Sequence, residues 1–116
     1  MNISRSRVST RMSATVIHKQ TVYLSGQVAE DVTADIREQT TTTLNKIDLL
    51  LKETGSTREN ILSAVLYLRD IDNDFASMNE VWDSWVPEES APVRTCVEAH
   101  MARPSVLVEI TVIAAS

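Results

Sequence analysis

The chain has one cysteine, two glycines, three prolines and few aromatic residues among its 116 positions. The lone thiol, Cys96, excludes an internal disulfide framework and fits a reducing compartment. With so little glycine, Ser25-Gly26-Gln27 cannot be a phosphate-cradling loop, which needs several glycines leading directly into a helix. No apolar run approaches the roughly 20 residues of a membrane span, and no apolar h-region follows the N-terminus. Acid is missing from the first 29 residues, and all 16 Asp and Glu lie at or beyond Glu30, for a net charge of −5. That balance offers no basic stripe, so DNA and RNA are poor partners. Arg5, Arg7, Arg11 and Lys19 among Ser and Thr also read as a transit peptide. Against that, the strand-like residues Val16, Ile17, Val22, Tyr23 and Leu24 start too early to leave a removable arm. The expected location is cytoplasmic.

What is present is ordinary globular material, 43% hydrophobic and 23% charged, at a length that suits one core. The expectation is a single domain over residues 1–116, with disorder limited to a short N-terminal arm. Thr15 to Ile17 and Val22 to Leu24 are β-rich runs across a polar break, a hairpin. After Ser25-Gly26-Gln27, the polar stretch Glu30 to Asp35 opens a helix. Its stripe runs Ile36, Thr40, Thr43, Ile47, Leu50, and Gly55 stops it. Ile61 to Leu68 is apolar on both alternating sets, as in a strand covered on both sides. Asp72 to Asp74 then cap a second helix with stripe Phe75, Met78, Trp82, Trp85, closed by Pro87. Val93 to Ala99 and Val106 to Ala114 read as a second antiparallel hairpin. The order ββαβαββ makes an α+β sandwich, two helices on one face of a sheet whose other face needs a partner, such as another subunit.

The last hairpin carries the chemistry. Period two groups Arg94, Cys96 and Glu98 on one face and Val93, Thr95 and Val97 on the other. A turn near Ala102-Arg103 would bring Glu109 opposite Cys96 and diagonal to Arg94, gathering a guanidinium, a thiol and a carboxylate. The same register fits a cross-strand Arg94–Glu109 pair that only satisfies two charges. Cys96 alone argues weakly for a nucleophile, since neither His18 nor His100 is placed to activate it. Too few ligating residues stand at metal spacing, and the Trp82–Trp85 stripe reads as helix core rather than a ligand platform.

Ser25-Gly26-Gln27, Gln39-Thr40, Asn79 after Asp74-Phe75, the run Ala91 to Val97 and Val108-Glu109-Ile110 together resemble the reactive intermediate deaminases, the YjgF-type family, in order and spacing. The match runs from about Val16 to Ala114. Its most specific piece is Pro-x-Arg-x-x-Val followed fifteen residues after the arginine by Glu in an apolar strand. The resemblance implies a chorismate-mutase-like fold with a mixed sheet, assembled as a homotrimer with clefts between subunits. It also implies cofactor-free hydrolysis of 2-imino and enamine acids, such as 2-aminoacrylate, to 2-keto acids and ammonia. Arg94 would then grip the substrate carboxylate and Glu109 activate water, while Cys96, through its backbone, and Ser25 hold the imine end and Asn79 gives support. Upstream the chain departs from the family's Gly-Pro-Tyr: Ser9 to Ala14 contains no tyrosine, and Arg11 stands in that neighbourhood. That implies a ligand that is larger, more acidic or differently bound. A trimer that only binds a small carboxylate, in a regulatory or protective role, uses the same arginine without needing Glu109 as a base. Chorismate-mutase activity follows from fold likeness alone, which does not fix chemistry.

Overall fold

Alternation puts Val108, Ile110, Val112 and Ala114 on one side of strand β7 (Val108–Ala115). In the computed structural model, which describes all 116 residues, that side is wholly buried. β7 is the middle of the sheet. It pairs antiparallel with β3 (Thr21–Leu24) on one flank and with β5 (Ile61–Leu68) on the other. β2 (Thr15–His18) turns into β3 through Lys19, whose φ of 57° is the left-handed conformation of a tight turn. β1 (Ile3–Ser6) lies outside β2, and β6 (Val93–Glu98) runs parallel to β5 at the opposite edge. The strand order is thus β1-β2-β3-β7-β5-β6, and the two residues of β4 (Gln27–Val28) rejoin β7 beyond the Ser25-Gly26 break.

Helix α1 (Ile36–Glu53) starts at Asp35, whose carboxylate accepts the Glu38 N–H at 2.9 Å. It stops where Gly55 takes φ +78°, a conformation that costs glycine nothing. Thr40, Thr43, Leu44, Ile47, Leu50 and Leu51 are its buried side. Helix α2 (Ile71–Trp85) crosses between β5 and β6, which is what allows those strands to run parallel. Both helices lie on the same face of the sheet, and their buried residues close one core with Leu66, Leu68, Val108 and Ile110. No helix is long and apolar enough to cross a membrane.

Four expectations need correction. Val93–Glu98 and Val108–Ala115 do not form a hairpin, because β5 lies between them and pairs with both. Local alternation fixes which residues share a face, but not which strand is the neighbour. The N-terminal arm is not loose: Ile3 to Ser6 pair with His18 to Thr15, an arrangement carried by backbone rather than by its mostly exposed side chains. The second helix is capped by Asp70 rather than within Asp72 to Asp74. Phe75 is 41% exposed while Asp74 is buried, since the inward stripe runs Asp74, Met78, Trp82, Trp85. Finally, β5 is buried on one side only, at Ala64, Leu66 and Leu68. A bulge at its start turns Leu62 outward, and Val65 and Tyr67 stay partly exposed on the open face.

Candidate functional site

Arg94 sits near the start of the edge strand β6, in register with Ala64 and, through it, with Val112. Those partners are buried on the helix side, so Arg94 projects beneath α2. There its guanidinium lies over the Trp82 ring, with Cζ 5.4 Å from the centroid. The small side chain of Ala64 leaves room for the arginine stem, and the half-buried guanidinium makes no hydrogen bond or ion pair with the rest of the chain. Asn79, three residues before Trp82 and thus its neighbour on the helix surface, has the one buried side-chain polar atom without a partner, Oδ1. Cys96 shares the face of Arg94, opposite Leu66, and packs against the core. Burial pushes its thiol pKa up, more than the nearby Arg94 charge pulls it down. A protonated thiol at neutral pH is a poor nucleophile. Glu98, third on that face, accepts the Ile71 N–H at 3.1 Å and so serves α2 as a cap.

A second arginine shows what a satisfied guanidinium looks like here. Arg58 lies over Trp85 at 4.8 Å, and Trp85 packs on Trp82 with ring centroids 5.6 Å apart. Arg58 is occupied, however: Asp48 accepts from it at two points, 2.8 and 2.7 Å, and the Trp85 carbonyl at 3.1 Å. Arg94 has the same aromatic support and no carboxylate.

Glu109 belongs to a different place. In β7 it is in register with Val28 on one flank and Tyr67 on the other, and through Tyr67 with Val97, all on the open face of the sheet. Its carboxylate fills the space over Gly26, where an added Cβ would overlap Oε2. The adjacent Ser25 is fixed by its N–H to the Ala14 carbonyl at 2.9 Å and by its hydroxyl to the Ser13 carbonyl at 2.5 Å. Ser25, Gly26 and Glu109 therefore form one group, bordered by the loop that carries Arg11.

The structure thus separates what the hairpin expectation joined. Arg94 and Cys96 point to the helix side, Glu109 to the open side, so within one chain they neither share a patch nor form a cross-strand pair. The cause is parity, since Val97, which is in line with Glu109, is three residues from Arg94. No three His, Cys, Asp or Glu side chains gather where they could hold a metal ion. A hollow of about 470 Å³ lies elsewhere, at the far end of β6, lined by Arg69, Glu98, Ala99, His100, Met101 and Pro104.

Residues 3–116 match the family model described as endoribonuclease L-PSP. The RutC family protein YoaB of Escherichia coli K12 is 45% identical over 115 residues, 99% of either chain. This chain belongs to the YjgF-type reactive intermediate deaminase family. A solved structure of an uncharacterised protein from Pseudomonas aeruginosa superposes with a TM-score of 0.95 at 42% identity, covering 98% of both chains. A YjgF family member from Neisseria meningitidis superposes equally well, with 0.95 and 42% over 100% of this chain and 96% of that one. Within this YjgF-type fold, two residues escaped the reading of the sequence. Helical spacing predicts core for Trp82, and it is buried in the core, but spacing cannot show that one edge of the stripe meets Arg94 of β6. Gly26 reads as a break, although a glycine directly before the strand residues Gln27–Val28 is also a signal that another group approaches the backbone closely.

Proposed function

We propose that this protein hydrolyses reactive 2-imino and enamine acids to 2-keto acids and ammonia, at clefts where two copies of a cytoplasmic homotrimer with a chorismate-mutase-like fold meet. The observation that carries this reading is the Arg94 guanidinium, supported on an indole and lacking a carboxylate within its own chain, in contrast to Arg58 with Asp48. A half-buried arginine without a counter-charge is a site for an anion, and its planar fork fits a carboxylate with two parallel hydrogen bonds. The opposite placement of Glu109 supports assembly of the site from two copies. One copy contributes Arg94, Cys96 and Asn79, and the next contributes Ser25 and Glu109. The open sheet face, with Tyr23, Val93 and Val97 exposed, is the surface that such an assembly covers.

The chemistry then needs only these residues. Arg94 binds the carboxylate and aligns the C=N carbon. Glu109 takes a proton from water as the oxygen bonds to that carbon and the C=N pair moves to nitrogen, which receives that proton from Glu109. The carbinolamine then collapses as its hydroxyl proton passes through Glu109 to the amine, C=O forms and C–N breaks, leaving the 2-keto acid and ammonia. The Ser25 hydroxyl, already donating to Ser13, has acceptor capacity left for an imine N–H, as has Asn79 Oδ1. Because β6 is a sheet edge, backbone N–H groups near Cys96 are available to the ligand. No cofactor enters any step. The net charge of −5 gives no support to an RNA substrate, despite the family model's description. The test is ammonia and keto-acid release from a panel of imino acids, dicarboxylic ones included, generated in place by an amino-acid oxidase. Release faster than the uncatalysed rate supports the reading. Binding of 2-keto acids without turnover leaves the carboxylate-binding trimer in its place.

A further inference from the structure

Resting on that reading of Arg94, we propose that Trp82 is the positioning residue of the site: its indole face holds the Arg94 guanidinium so that the hydrogen-bonding edge stays free for the ligand carboxylate. An arginine at a sheet edge has a long stem and several rotamers, and without a partner it loses much of its order to entropy. Carboxylate partners solve that problem for Arg58 but use up its fork. Trp82 solves it differently. The ring face attracts the cation without touching the N–H groups along its edge, so orientation is fixed while every donor remains available.

The support beneath Trp82 is itself anchored. Its ring packs at 42° against Trp85, whose Nε1–H donates to Asp48 at 3.1 Å while Arg58 covers the ring. Asp48 lies on α1, so the line Asp48, Arg58, Trp85, Trp82, Arg94 runs from the first helix to the sheet edge. Trp82 is 4% exposed and Trp85 is 8% exposed, so neither ring can swing away without opening the core. The stripe read as core from spacing is therefore core on one side and platform on the other.

The experiment compares Trp82→Phe, Trp82→Leu and Trp85→Phe by two readouts. The first is the ¹⁵Nε–H resonance of Arg94, assigned by its loss in Arg94→Lys. The ring should shift it in the parent and in Trp82→Phe, and Trp82→Leu should return it to the free-arginine position. Trp85→Phe loses the hydrogen bond to Asp48 and should lower Tm, yet it keeps a ring against Trp82 and so should leave the Arg94 resonance in place, which separates positioning from stability. The second readout is kinetic: Trp82→Leu should lose roughly 3- to 30-fold in kcat/KM, the range of a cation–aromatic contact, and Trp82→Phe should recover part of it. An Arg94 resonance identical in the parent and Trp82→Leu overturns the proposal. So does a shifted resonance with unchanged kcat/KM. If the parent hydrolyses no imine, the same comparison is made on keto-acid binding. A parent that neither hydrolyses nor binds overturns the functional reading, and the positioning role that rests on it, while the resonance still reports whether Trp82 orders Arg94.

Discussion

At the scale of single residues the account depends on two side chains whose surroundings differ in kind. Arg94→Lys keeps the charge but replaces a planar fork with one ammonium, so keto-acid affinity measured by titration calorimetry should fall by an order of magnitude or more while the fold persists. Unchanged affinity would make Arg94 a structural residue. Gly26→Ala acts on the other half of the site. The new Cβ overlaps Oε2 of Glu109, which is the far end of a flexible side chain, and Gly26 has no positive φ to strain. Stability should therefore change by no more than about 1 kcal/mol, whereas turnover should approach that of Glu109→Gln. Parent-level turnover in Gly26→Ala would show that the carboxylate's seat over Gly26 does not matter for catalysis.

At the scale of elements, one buried residue joins helix to loop. Gln39, fully buried in the first turn of α1, donates to the carbonyls of Val32, Ala34 and Ser105 and accepts the Leu107 N–H at 3.0 Å. Gln39→Leu would leave those backbone groups unpaired, at roughly 1–3 kcal/mol for each that stays dry, so chemical denaturation should show a loss of several kcal/mol. A loss below about 1 kcal/mol would mean that water replaces the amide. Asp74 supplies a pH dependence. Burial raises its pKa more than the Asn73 hydrogen bond lowers it, so the folded state keeps its proton to higher pH than the unfolded one. Its contribution to stability is present below the unfolded value and is lost as pH rises through the folded one. Asp74→Asn should then raise Tm at pH 7, with the gain gone near about pH 3. An equal gain at both pH values would refute the assignment.

The two helices and the strands β2, β3, β5, β6 and β7 were legible in the sequence, because Asp35, Gly55 and the alternation of β7 are local signals; β1 and the two-residue β4, held by backbone pairing rather than by an apolar pattern, were not. The strand order was not. A parallel β5–β6 pair across α2 and a β7 inserted beside β5 are set by how the chain closes its core, and no residue in Val93 to Ala99 announces which neighbour it will have. The site suffered the same error. Type and spacing single out each residue, but only a hairpin register would bring Arg94 and Glu109 together, and β5 stands between their strands.

At the scale of the whole molecule, the proposed site has its two halves on opposite faces of one chain's sheet, and on that proposal they meet only where two copies pack together. Light scattering should give three subunits, and a stable monomer at micromolar concentration would remove both the cover for Tyr23, Val93 and Val97 and the cleft itself. Subunit complementation tests the claim most directly. Arg94→Lys and Glu109→Gln, each expected to lose ~10²–10⁴-fold in turnover on its own, are unfolded together in equal amounts and refolded. In a closed three-fold ring every mixed trimer holds one cleft with an intact arginine from one copy and an intact glutamate from the next. The mixture should therefore recover about one quarter of the parent's imine hydrolysis. A refolded mixture no more active than its two components would contradict the account.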